Sequence, residues 1–414
     1  MKRYLKYAAS TLIALQMVSS VHSQDSNSMT PQSRIKSIVE QQKEKARNLV
    51  PAEPDRFERI LYRYVGDDPL NKYAGGIPGL HLRLGGLPSG SGFSLGTEYL
   101  RPDLAGGQMA FRASAVGSPK LWYMIETELR FPHLVLRNLD LQLRGRRLDA
   151  NSVDYYGPGP ESLKTGRTDY RREENGLDVC LTYTPARPYL SIGFSSGYLW
   201  LNVGPGKDSD YYSSEKAYPP SVAPGIDTQT DYLRFGPFLE ADSRDKPDDP
   251  HSGTHFLVRF NLYSDRKFNR YNFQQIDASL EQYVPFFNKK RVLALHLNSV
   301  LSYPGEGSEI PFYMMPTLGG PSNLRGYRRY RFYDNDLFLA SAEYRWEVFT
   351  LMDAAVFADG GKVFHRDGDF NLKNLESDAG FGLRFKSRES VVFRIDTAFS
   401  HEGYGLWLTF DHVF

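Results

Sequence analysis

Three groups of residues have types and spacings that chemistry uses. Gly193-Phe194-Ser195-Ser196-Gly197 spells G-x-S-x-G, which on a strand, sharp turn and helix presents a nucleophilic serine. Tyr198-Leu199-Trp200-Leu201 continues an extended run instead of opening a helix, so no elbow is expected and no enzyme is read here. His251 and His255 are four apart, a metal-binding separation when both sit on one helix. They straddle the turn-forming Asp248-Asp249-Pro250 and a strand start, and the other histidines form no cluster, so the expectation is no metal and no cofactor. The third group is cationic: Arg325, Arg328, Arg329 and Arg331 lie in one glycine-containing loop between Tyr303 and Asn335. Composition alone reads that loop as a basic surface segment.

The elements that must carry these residues alternate with period two from Gly76 onward. Leu80, Leu82 and Leu84 alternate with His81 and Arg83, and Leu139, Leu141 and Leu143 with Asp140, Gln142 and Arg144. The same holds for Phe256, Val258 and Phe260, for Leu293, Leu295 and Leu297, and for Val391, Phe393 and Ile395. One face of each strand is apolar and the other polar or charged. Many of the runs reach about ten residues, the length of a tilted bilayer-crossing strand. Counting them predicts an all-β fold, a transmembrane antiparallel β-barrel of about sixteen strands. The long gaps follow strands five, seven, eleven and thirteen, all odd-numbered, and tight turns such as Asn288-Lys289, Thr350 and Arg388 follow even ones, which puts the long loops on one side. The turn through Asp248-Asp249-Pro250 is the one long connection on the other side.

Ahead of the strands, Met1-Lys2-Arg3 with Lys6 and an apolar stretch to Val21 reads as a secretory leader over residues 1–23. Residues 24–72 read as a periplasmic linker, with an amphipathic helix over 31–48 that Pro51 and Pro54 end. Residues 73–414 are then the barrel. The chain has 50 Lys+Arg against 49 Asp+Glu, so no polyanionic partner is implied, and nucleic acid is not expected. Arg83, Arg112, Arg130, Arg144, Arg259, Arg384 and Arg394 interleave with Glu126, Glu128, Asp140 and Asp396 on the polar faces, as in a hydrated mixed-charge interior. The single cysteine, Cys180, excludes an internal disulfide.

Leu318-Gly319-Gly320-Pro321-Ser322-Asn323-Leu324-Arg325-Gly326-Tyr327, in the loop before the twelfth strand, resembles the signature of the bacterial surface-antigen barrel superfamily. That superfamily includes the BamA and TamA assembly factors and the two-partner-secretion transporters. Ala342-Glu343-Tyr344-Arg345 and Phe357-Ala358-Asp359-Gly360-Gly361 resemble its next two strand motifs. Leu239 to Pro247 with Ser252-Gly253 resembles its mid-barrel hairpin, with Asp242, Arg244, Asp245 and Gly253 as the motif residues.

The resemblance implies a loop folded back into the lumen through Gly319, Gly320, Leu324, Arg325, Gly326 and Tyr327, with the arginine gripping acids on the inner wall. Glu343, Glu347 and Asp359 are the candidate partners, since Glu343 and Glu347 share a strand face with Ser341 and Arg345. The last strand, with Phe410 and Phe414, resembles the targeting signal of outer-membrane proteins and is expected to close on the first strand near Leu80 to Leu84. Residues 24–72 cannot hold a polypeptide-transport-associated (POTRA) domain, so the chain resembles the short members without one. The expected function is insertion or transport of outer-membrane proteins or lipids. The alternatives are a passive or plugged pore and a structural or partner-binding protein. Expected partners are outer-membrane lipids, unfolded outer-membrane proteins or a periplasmic subunit contacting residues 31–48, and the expected location is the bacterial outer membrane.

Overall fold

The computed structural model describes residues 78–134, 138–185, 189–366, 369–386 and 391–410. The leader, the 24–72 linker with its 31–48 helix, and Phe414 lie outside the described residues. Sixteen strands form one antiparallel sheet in which each pairs with its neighbours in chain order. They begin with β1 (Leu80–Leu84), β2 (Leu95–Leu104), β3 (Met109–Gly117), β4 (Tyr123–Phe131), β5 (Leu139–Tyr155) and β6 (Thr168–Tyr183). Next come β7 (Leu190–Pro205), β8 (Tyr232–Asp242), β9 (Gly253–Asp265), β10 (Phe273–Phe286) and β11 (Arg291–Pro304). The sheet ends with β14 (Asp336–Phe349), β15 (Met352–Phe364), β16 (Glu376–Lys386), β17 (Val391–Ser400) and β18 (Gly403–Thr409). A second, two-stranded ladder, β12 (Thr317–Leu318) with β13 (Phe332–Tyr333), zips the base of the long loop between β11 and β14.

The sheet is not closed. Among the described residues β1 pairs with β2 and β18 with β17, and no ladder joins β1 to β18. This overturns the expected closed transmembrane barrel, and with it the reading as a membrane-spanning inserter, transporter or pore. β1 is only five residues long and its alternation ends at Gly85 and Gly86, with φ of 73° and 93°, so it offers little length for a closing ladder. The two edges come close where a Cβ on Gly85 would lie 3.1 Å from that of Phe410. Among the described residues no helix is long and apolar enough to cross a membrane, which says nothing of strands.

Though open, the sheet curls strongly. Lys386 at the end of β16 reaches Asp249 in the β8–β9 turn at 3.8 Å, and Arg331 in the long loop bonds Ser162 between β5 and β6 at 2.6 Å. The period-two pattern sorts the side chains inside out. Leu177 and Leu181 on β6, Leu295 and Leu297 on β11, and Leu406 and Leu408 on β18 point outward and are exposed. Glu126, Glu281, Glu343, Asp359, Arg384 and Asp396 are buried on the inner face. A sheet in water would do the opposite.

Strands β5, β6 and β7 run further than the sequence pattern shows. Asp149-Ala150-Asn151-Ser152 breaks the apolar alternation, yet β5 continues to Tyr155 for 17 residues. The added length is held by an aromatic cluster in which Tyr155, Tyr170, Tyr232 and Phe273 pack on Phe312, Tyr313 and Tyr333 of the long loop. Rings of Tyr155 and Phe312 sit 4.8 Å apart, within aromatic contact range.

Open edges have a measurable consequence. By hydrogen exchange, the edge-facing amides of β1 and β18 should lose protection orders of magnitude before the paired amides of β14 and β15. Equal protection would require a ladder across the gap and contradict the open sheet.

Candidate functional site: a loop held on the inner face

The loop between β11 and β14 turns back over the inner face because its backbone is shaped for it. Gly319 and Gly320 take φ of 110° and 114°, where a side chain would be strained, and Asn323 Oδ1 accepts the Gly319 and Leu324 amides at 2.8 and 2.7 Å. Leu324 and Tyr327 are then buried with Leu318, Phe332, Leu337, Leu339 and Val363. Gly326 passes so close to the wall that a Cβ there would lie 2.5 Å from that of Asp378.

This places Arg325, with no solvent exposure, between two strands. Its Nε and Nη2 donate to Asp359 on β15 at 2.7 and 2.9 Å, a bidentate pair, and Nη1 donates to Glu343 on β14 at 2.6 Å. The guanidinium lies 3.3 Å over the Phe357 ring. Burial pulls its pKa down, but Glu343 and Asp359 outweigh that and hold it above the ordinary arginine value. Neighbouring bonds extend the network. Gly326 N donates to Asp378 at 2.8 Å, Trp407 Nε1 on β18 to the Arg325 carbonyl at 2.6 Å, and Arg394 to the Pro321 carbonyl at 2.8 Å. Asp359 and Asp378 face each other in register on β15 and β16, a repulsive placement that the loop relieves.

Glu343 also accepts from Arg345 at 2.7 Å and Arg384 at 2.8 Å, and Arg384 continues to Asp396 at 2.5 Å. Glu347, offered with Glu343 and Asp359 as a partner, stands apart and pairs with Lys290 at 3.3 Å. Tyr327 donates to Glu376 at 2.7 Å, and Arg331 pairs with Glu402 at 2.8 Å. Sequence reasoning had Arg384, Arg394 and Asp396 only as lumen charges and missed Asp378 and Trp407. Their one signal was alternation on the polar faces of the last three strands.

The hairpin residues form a second centre at the short-turn end. Asp242 accepts from Arg244 at 2.8 and 2.9 Å, and Arg244 reaches Glu281 on β10 at 3.1 Å. Asp245 accepts the amides of His251 and Ser252 at 2.9 and 3.1 Å and the Lys289 ammonium at 2.8 Å. Gly253 opens β9 with φ of 110°. Partial burial pushes the Asp245 carboxyl up, but Lys289, His251 and Ser252 outweigh it and hold it far below the usual carboxylate range.

The other candidates resolve simply. Ser195 lies mid-strand in β7 with its hydroxyl on the Gly236 carbonyl at 3.4 Å, so no elbow forms. His255 sits between Glu240 and Glu281 at 3.0 and 3.2 Å, away from His251. Donor atoms of Asp249, His251 and Asp353 lie within 4.8 Å of one another. The Lys386 ammonium, 2.8 Å from Asp353 and 3.8 Å from Asp249, offsets one of its two carboxylate charges. Phe410 packs edge-on against Phe93, with ring centres 5.6 Å apart.

Residues 140–404 match the Omp85 superfamily domain. Among solved structures, the chain is similar to BamA from Haemophilus ducreyi lacking POTRA domains 1–3, with a TM-score of 0.59 and 15% identity over 80% of this chain and 68% of that one. It is also similar to CdiB from Escherichia coli, with a TM-score of 0.52 and 13% identity over 81% of this chain and 62% of that one. At such identities the likeness is one of fold. No curated protein sequence matches significantly.

Two outcomes follow from these centres. Arg325→Ala leaves Asp359 buried without its bidentate cation and takes one of three arginines from Glu343, which should cost about 3–5 kcal/mol in denaturant unfolding and open the loop to trypsin at Arg328. Unchanged cleavage and stability would contradict the lock. A carboxyl held low contributes stability that is present above its unfolded pKa and is lost as pH falls through its folded one. The amides of Lys246 to Ser252 should therefore stay protected down through the ordinary carboxylate range and loosen only below it, while Asp245→Asn loosens them at every pH. A loosening midpoint near pH 4 or higher would refute this assignment.

Proposed function

The chain belongs to the Omp85 superfamily, and from that membership we propose that it is a non-catalytic outer-membrane protein that holds an extended partner polypeptide on the free edges of its sheet. The observation that carries this reading is that, among the described residues, no ladder joins β1 to β18. An edge strand presents a row of unsatisfied N–H and C=O groups, and an extended peptide satisfies them by adding a strand. Leu406 and Leu408, exposed on the outer side of β18, give such a strand an apolar neighbour.

The location rests on the inside-out sheet. Its exposed outer leucines, phenylalanines and valines would be costly in water and are stabilised against lipid, so membrane lipids are the second partner. The inner charges are paired with one another, which suits a structural wall better than a reaction centre.

A photo-crosslinking amino acid at Leu408, on the free-edge strand, should yield polypeptide adducts in intact cells. The same group at Leu297 on β11, equally outward but flanked by paired strands, should not. Adducts of equal yield from both positions, or none from Leu408, would defeat the edge-binding proposal.

A further inference from the structure

Four cations gather at the long-loop end of the sheet around a cavity of 190 Å³. Lys120 comes from the β3–β4 turn, Arg167 precedes β6, and Arg328 and Arg329 belong to the infolded loop, with Trp407 of β18 as one wall. Two carboxylates share the cavity, Asp154 and Asp208. Arg167 takes Asp154 at 2.9 Å, which leaves Lys120, Arg328 and Arg329 facing Asp208.

Arg329 is the telling member. It is half-buried, its guanidinium lies 4.5 Å over the Trp407 ring, and its buried Nε has no acceptor among the described residues. Burial pushes its pKa down, and the pull of Tyr330 and Asp154 offsets this only in part. By contrast, Arg325 and Arg331 in the same loop each hold carboxylates. A half-buried guanidinium whose nearest acid, Asp154, is already taken by Arg167 is costly to keep, so the cavity favours an incoming anion.

We propose that this cavity binds a phosphate group, either free or on a lipid headgroup. Two negative charges match the excess of cations, and a tetrahedral oxyanion can accept from donors converging from three separate segments. A planar carboxylate would satisfy one guanidinium fork and leave the rest. The volume admits one such group and excludes a polymer. Arg329 also lines a smaller cavity of 70 Å³ with Gly85 and Phe410, so an anion here would sit beside the gap between β1 and β18. This inference stands independently of the polypeptide reading.

The test is calorimetry on the full chain in detergent at constant ionic strength, with inorganic phosphate titrated against chloride and acetate. A parallel arm uses nanodiscs with and without phosphatidic acid. One-to-one saturable binding is expected in at least one arm, weakened about tenfold by Arg329→Gln and partly retained by Arg329→Lys. Lys120→Gln, at an exposed position that cannot disturb the fold, should weaken it several-fold. Binding to inorganic phosphate identifies a free anion, and binding confined to phosphatidic acid discs identifies a headgroup. Acetate binding as tightly as phosphate, no binding in either arm, or unchanged affinity in both Gln variants would overturn the proposal.

Discussion

A guanidinium that touches no water must find all its acceptors within the protein, and Arg325 finds them on two strands at once. Its position is over-determined: a bidentate carboxylate, a second carboxylate and an aromatic face hold the side chain, while Trp407 and Asp378 hold the backbone on either side of it. The dependence runs both ways. Without the loop, Asp359 and Asp378 would face each other across a strand pair, and Glu343 would keep two arginines but lose the third. The charged interior is thus one network in which loop and wall are mutually required.

That network also explains how a sheet with two free edges keeps its curl. Trp407 ties the loop to β18, Arg331 ties it to Glu402 beyond β17 and to Ser162 beyond β5, and Arg172 of β6 bonds the Tyr313 carbonyl at 2.6 Å. Lys164 adds a bond from the same β5–β6 connection to the Glu402 carbonyl at 2.5 Å. Contacts across the interior therefore do part of what a closing ladder would do. They act on side chains and loop backbone, and among the described residues no ladder joins β1 to β18.

The strands were legible because each turns one face to an apolar phase and one to a charged interior, and period two is the direct image of that arrangement. Odd-even loop lengths placed the connections, and the loop motif pointed to Arg325, Glu343 and Asp359, which the structure brings together. Closure was not legible. Leu80, Leu82 and Leu84 alternate as well as any strand, and whether they meet β18 is a matter of register between segments far apart in sequence, which leaves no periodic mark. Glu347 shares a strand face with Glu343, yet period two does not say how far along that face the loop reaches. The extra turns of β5 to β7 were hidden because aromatic packing from a loop far away in sequence, not alternation, sustains them.

The position of the lock relative to the gap decides what the sheet can do. Arg325, Asp359 and Glu343 lie on the inner face over β14 and β15, three strands in from the β18 edge. A strand added to β18 would use main-chain groups that point along the sheet, while the charges point into it. The two sets do not compete, so an edge can be occupied or vacated without exposing a buried ion. Among the described residues, the bond from Trp407 to the Arg325 carbonyl links the two, and Trp407 is also the wall on which Arg329 rests. Occupancy at the edge, at the cationic cavity and at the lock therefore converge on a single side chain of β18, where a change in any one of them would be felt by the others.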